Sequence, residues 1–94
     1  MSKNRLVILG GGESGVGTAI LAKQKGLEVF LSDNGMIRAD HRETLLNHHI
    51  PFEEGGHSEE RVLQADEIVK SPGIPDTTPL MQKVIEKEIR VISE

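Results

Sequence analysis

Glycines 10, 12 and 15 follow directly on the apolar run Leu6-Val7-Ile8-Leu9, and the chain then continues as Val16-Gly17-Thr18-Ala19-Ile20-Leu21-Ala22. A strand that enters a Gly-x-Gly-x-x-Gly turn and leaves as a helix admits few folds. Gly10 lets the chain leave the strand in a tight turn. Gly12 has no Cβ, so a ligand can approach the backbone. Gly15 lets the helix lie close to the strand. The first amides of that helix lack intrahelical partners and attract an anion. The turn is therefore expected to hold the diphosphate of a nucleotide.

The rest of the chain alternates in kind. The first helix is expected over about residues 14–25, with Val16, Ala19, Ile20 and Ala22 toward a sheet and Gly26 as its left-handed stop. Residues 27–32 read as a second strand, closed by the turn Asp33-Asn34-Gly35. Asp40 is expected to cap a short helix containing Arg42, Glu43, Leu45 and Leu46. Residues 50–54 read as a third strand, at a sheet edge because Pro51 cannot donate a ladder hydrogen bond. Ser58 is expected to cap a helix to about Gln64, with Val62 and Leu63 inward. Residues 67–70 form a fourth strand, followed by the stiff loop Ser71-Pro72-Gly73-Ile74-Pro75. Thr78-Pro79 starts a last helix with Leu80, Met81, Val84 and Ile85 at helical spacing, and residues 90–93 close a fifth strand.

This βαβαβαβαβ alternation predicts a Rossmann-like α/β domain, an open parallel sheet of order 3-2-1-4-5 with helices on both faces. Ligands of such sheets bind beyond the carboxyl ends of the strands, where the strand order reverses. Three loops are expected to meet there: 10–15, 33–35 and 71–74. Asp33 stands twenty-three positions after Gly10, near the ~20-residue offset at which an acid meets a ribose hydroxyl.

Composition removes other classes. A formal net charge of −4 disfavours general nucleic-acid binding. Neither Trp nor Tyr is present to stack bases. Without cysteine there are no disulfides or thiolate metal sites. The start Met1-Ser2-Lys3-Asn4-Arg5 is too polar for a signal segment, and no run reaches membrane-spanning length. A cytoplasmic monomer is expected. His41, His48, His49 and His57 lack a completing ligand set and read as surface histidines. The pairs Glu53-Glu54 and Glu59-Glu60 read as solvated charge, and Lys70 as a solvated strand-end lysine that has a phosphate within reach as its alternative.

Taken together, Gly10-x-Gly12-x-Ser14-Gly15, Asp33 after the second strand and Ser71-Pro72-Gly73-Ile74 after the fourth resemble the N-terminal domain of the Mur ligases, above all those that add D-glutamate to UDP-N-acetylmuramoyl-L-alanine. The resemblance covers essentially the whole chain. It implies that residues 1–94 form one domain holding the UDP part of a muramoyl precursor. Backbone amides near Gly12, Glu13, Ser14 and Gly15 would hold the diphosphate, Asp33 and Asn34 would flank the uracil, and Ser71, Pro72 and Gly73 would close the other side. ATP and Mg2+ would activate the precursor's carboxylate for attack by D-glutamate, in domains other than this one. The chain has no Gly-x-x-x-x-Gly-Lys-Ser/Thr loop, so no catalytic residue, resident cofactor or metal is expected here, and the domain alone should not turn over. Two features depart from an ideal anion site: Glu13 puts a carboxylate at its mouth, and Asn34-Gly35 offers no cation beside Asp33.

Two other readings compete. An NAD(P)-binding module of a dehydrogenase or ligand-sensing regulator would use Asp33 to accept both ribose hydroxyls. A Rossmann-like domain serving only protein contacts would show an exposed apolar patch and no ligand response.

Overall fold

A computed structural model describes residues 4–93. Nine elements follow in strict alternation: β1 (Arg5–Leu9), α1 (Glu13–Gln24), β2 (Glu28–Ser32), α2 (Ala39–Asn47), β3 (Phe52–Glu53), α3 (Glu59–Val62), β4 (Glu67–Lys70), α4 (Pro79–Glu86) and β5 (Arg90–Ser93). The sheet order is β3-β2-β1-β4-β5, every pairing parallel, as the alternation predicts.

β1 is apolar from Leu6 to Leu9 because that part is covered on both faces. Leu6 and Ile8 join Val29, Leu31 and Val69 on one face, where α1 adds Val16, Ala19 and Ala22 and α2 adds Leu45. Val7 and Leu9 join Phe30 and Ile68 on the other, under Val62 of α3 and Met81 and Val84 of α4. The side-chain period of two thus divides one strand between two cores.

Three helices end alike. After α1, Gly26 lies at φ +88 and Leu27 N–H returns to Ala22 O at 3.1 Å. After α2, His49 takes φ +56 and Ile50 N–H returns to Leu45 O. After α4, Glu88 takes φ +57 and Ile89 N–H returns to Val84 O. Only the first stop carries the expected glycine.

Three local expectations are corrected. α2 begins at Ala39 behind Arg38, and Asp40 sits inside the first turn, its carboxylate accepting from His41 N–H at 3.0 Å. α3 is a single turn whose preceding Ser58 makes no side-chain cap bond. β3 is only two residues long, at the expected edge.

Candidate functional site

Register sets the rim. Leu9, the last residue of β1, pairs with Ser32 of β2 and Lys70 of β4. The three chains therefore leave the sheet side by side, and their loops begin together at the point where strand order reverses.

The glycine turn is held from three directions. Gly10 has φ +123 and donates its N–H to Ser32 O at 2.8 Å, while a Cβ on it would lie 3.0 Å from that of Ser71. Gly11 donates to Asp33 Oδ2 at 2.7 Å, and its carbonyl lies 3.2 Å from His41 Nδ1. A Cβ on Gly11 would press on Ile37 at 2.8 Å, so this glycine too is fixed by packing, although it stands outside the motif. Gly15 is buried and a Cβ there would collide with Gly10 O; its part is to let α1 lie against the turn. Gly12, the residue before α1, is exposed, and a Cβ on it would meet nothing within 4 Å. Glu13 and Ser14 form the exposed first turn of α1 beside it. The motif thus splits into two glycines that close the turn and one that leaves its outer face open.

Asp33 faces that turn. Its Oδ1 accepts from Gly35 N–H at 2.8 Å in an Asx turn, while Oδ2 takes the Gly11 amide. It therefore ties the second loop to the first. Beyond it Asn34 joins His57, Gly73, Ile74, Thr78 and Leu80 around an open cleft of about 310 Å³. Ser71 stands against Gly10, with its N–H on Leu9 O at 3.0 Å; Pro72 is exposed on the far bank. All nine residues singled out from the sequence, Gly12, Glu13, Ser14, Gly15, Asp33, Asn34, Ser71, Pro72 and Gly73, fall in the loops or first helical turn at this rim.

Expectations from side-chain type are overturned at five residues. Lys70 is buried, not solvated: Nζ donates to Ile74 O at 2.7 Å and pairs with Asp76 Oδ1 at 3.4 Å, so it holds the loop from beneath. Glu53 accepts from both Ser32 Oγ and Ser58 N–H at 2.7 Å, and Glu54 accepts from Ile37 N–H at 3.0 Å and pairs with Arg42 at 3.1 Å. His57 is half-buried in the cleft wall, its Nδ1 2.6 Å from Ser32 Oγ, and His41 holds the Gly11 carbonyl. Burial pushes the His57 ring below the ordinary histidine value of 6.5, against the smaller upward pull of the Glu53 and Asp33 carboxylates. His48 and His49 are exposed, as expected. No spacing rule marks His57. The signal was its place just after Gly55-Gly56, where β3 must deliver the chain back to the rim.

A doubly wound parallel sheet with a glycine turn at its switch point defines the Rossmann-like class of α/β domains. Within that class, the model of the Mur ligase MurD-like N-terminal domain matches residues 4–93, and the chain belongs to this family. Among curated relatives, the UDP-N-acetylmuramoylalanine--D-glutamate ligase of Porphyromonas gingivalis strain W83 is 53% identical over 92 residues, covering 98% of this chain and 20% of that protein. The enzyme of the same name from Bacteroides thetaiotaomicron is 53% identical over 90 residues, covering 96% and 20%. The chain thus spans about a fifth of the length of these relatives. Solved structures share the fold. The UDP-N-acetylmuramate:L-alanyl-gamma-D-glutamyl-meso-diaminopimelate ligase of Neisseria meningitides superposes with a TM-score of 0.81 at 21% identity, covering 98% of this chain and 29% of that one. The UDP-N-acetylmuramate-alanine ligase of Thermotoga maritima gives 0.78 at 17%, covering 98% and 21%.

Proposed function

We propose that this chain is the substrate-holding N-terminal domain of an ATP-dependent amide ligase of peptidoglycan synthesis, and that its rim binds the UDP moiety of UDP-N-acetylmuramoyl-L-alanine for addition of D-glutamate. The observation that carries the proposal is the gathering of three loops from distant parts of the chain beyond the end of β1, with the outer face of Gly12 left open. In this reading the amides at Gly12 to Gly15 take the diphosphate, favoured by the positive end of the twelve-residue α1. Glu13 is exposed, which leaves its charge free to turn away from the anion. The cleft between Asn34 and Gly73 takes the uridine half. The names of the relatives supply the substrate and the amino acid.

Activation of the precursor's carboxylate by ATP and Mg2+ belongs, in the same proposal, to the four fifths of the relatives that this chain does not match. The 94 residues bind and position but do not turn over. Among the described residues no group of three or more His, Asp or Glu side chains could hold a metal ion, and no helix is long and apolar enough to cross a membrane. The setting proposed is a cytoplasmic monomer that acts on a soluble precursor and engages neither nucleic acid nor membrane. The NAD reading is not favoured, because the family match and the named relatives are ligases of UDP-linked precursors.

Titration of the chain with UDP, the UDP-muramoyl precursor, NAD and NADP, followed by calorimetry and amide shifts, tests the proposal. UDP and the precursor are expected to shift residues 12–15, 33–34 and 71–73. Selective NAD binding at those residues would reject the ligase reading, and silence toward all four would favour a protein-contact role. Gly12→Val should abolish the uridine-nucleotide response at a stability cost of about 1 kcal/mol or less, since only cap preference is lost. Unchanged affinity in the folded variant rejects the loop assignment.

A further inference from the structure

The cluster behind the cleft has a proton count that fixes the tautomer of His57. Ser32 Oγ is fully buried and has two neighbours, Glu53 Oε2 at 2.7 Å and His57 Nδ1 at 2.6 Å. A serine hydroxyl has one proton to give. Glu53 Oε2 also accepts from Ser58 N–H at 2.7 Å, so that oxygen is an acceptor and the serine proton goes to it. The short contact to His57 can then be made only if Nδ1 carries a hydrogen and donates it to Ser32 Oγ. In the neutral ring this leaves Nε2 bare, on the edge away from the buried serine. His57 lines the cleft together with Asn34 and Gly73, so the bare edge is the one left to meet what enters.

We propose that His57 is a recognition residue of this cleft: Ser32 and Glu53 lock its tautomer so that Nε2 accepts a hydrogen bond from the uridine half of the nucleotide, from either the ring N–H or a ribose hydroxyl. This rests on the nucleotide reading above. The role is pH-dependent, because protonation turns Nε2 from acceptor to donor and sets it against the ligand's own donor. Two charged groups face the ring, Glu53 from β3 and Asp33 from the turn after β2. From the β4 side, Gly73, Ile74, Thr78 and Leu80 wall the cleft without a titratable group. Burial outweighs the two carboxylates and favours the neutral ring.

Two substitutions separate holding from recognition. The amide nitrogen of Asn can stand in for Nδ1 and the amide oxygen of Gln for Nε2. His57→Asn should keep the tie to Ser32 and the fold, yet bind UDP about tenfold more weakly at pH 7.5, the loss of one good hydrogen bond. His57→Gln should stay within about threefold of wild type. Wild-type affinity should fall relative to His57→Gln as pH drops from 7.5 to 5.5, a ratio that cancels the titration of UDP itself. Ring 15N spectra of the ligand-free chain should show the Nδ1–H tautomer; the Nε2–H tautomer would overturn the proposal whatever binds. UDP bound equally by wild type and His57→Asn, with a flat pH ratio, would overturn the role of His57 alone. No UDP binding to wild type would overturn the nucleotide reading and this role with it. 3-Methyl-UDP, 2′-deoxy-UDP and 3′-deoxy-UDP locate the donor: the analogue lacking it should bind wild type and His57→Asn alike. If all three analogues still prefer wild type by the full tenfold, no such bond is made.

Discussion

The strands on either side of β1 both end in a buried polar residue, Ser32 on β2 and Lys70 on β4, and the two hold the loops beyond them by different means. On the β2 side the neutral hydroxyl of Ser32 bonds to the Glu53 carboxylate and the His57 imidazole, and the glycine turn beside it is shaped by the absence of side chains. On the β4 side a buried ammonium reaches up to the carbonyl of Ile74 and to Asp76, and the loop is stiffened by Pro72 and Pro75. One bank is set by what cannot be added and the other by what cannot be taken away. Within its turn the glycine bank tolerates growth only at Gly12 and is tied by the Asp33 and Glu53 carboxylates; the lysine bank tolerates changes at its exposed prolines but depends on one cation. For a ligand with an anionic end and a polar ring, this places exposed backbone amides on the first bank and a shaped wall on the second.

Substitutions that exchange these rules break the comparison most sharply. Gly15→Val should have the largest effect, about 3 kcal/mol or more, because its Cβ meets the Gly10 carbonyl, a backbone atom that moves only with the whole turn. Urea midpoints measure it; a loss below about 1 kcal/mol would mean that α1 can slide away and the close approach is incidental. Lys70→Met keeps the apolar stem but removes the charged donor, and should cost about 2 kcal/mol while speeding amide exchange at residues 73–78. Equal or greater stability would show that desolvating the ammonium outweighs its bonds. Ser32→Ala should cost about 1 kcal/mol, less than Lys70→Met, because it removes no charged group and leaves Glu53 its Ser58 amide. A reversed order would mean that the Ser32 cluster, not the cation, anchors the rim.

The legible part of this molecule is the part governed by period and by glycine. Alternating apolar strands, Thr78-Pro79 at the start of α4 and the Gly10–Gly15 turn each follow from one local rule, and the strand order follows from right-handed crossovers. Hidden were the residues whose role depends on a neighbour far along the chain. Lys70 looks like a solvated lysine until the loop above it folds back. Glu53 looks like surface charge until β3 brings it beside Ser32 in register. The stops at His49 and Glu88 lack the glycine that would have announced them, and stand because Ile50 and Ile89 anchor the returning chain. At the site, the loops were readable because they sit at strand ends; His57 was not, since one histidine in a polar turn says nothing of which side faces in.

The smallest expected effect tests the β2 bank without any ligand. The His57 pKa lies below 6.5 in the folded chain, chiefly through burial. Between the folded value and 6.5 the unfolded chain therefore binds more protons than the folded one, and stability rises with pH across that window. The contribution is fully present above the unfolded value and is lost as pH falls through 6.5 toward the folded value. Urea midpoints should decline on acidification through that range, and the decline should be shallower in His57→Gln, whose side chain does not titrate. Glu53 and Asp33 work against the trend by favouring the charged ring, so removing Glu53's charge should steepen it. Parallel pH profiles for wild type and His57→Gln would mean that the ring is as well solvated when folded as when unfolded, and that the β2 bank is as open to water as its exposed neighbour Asn34.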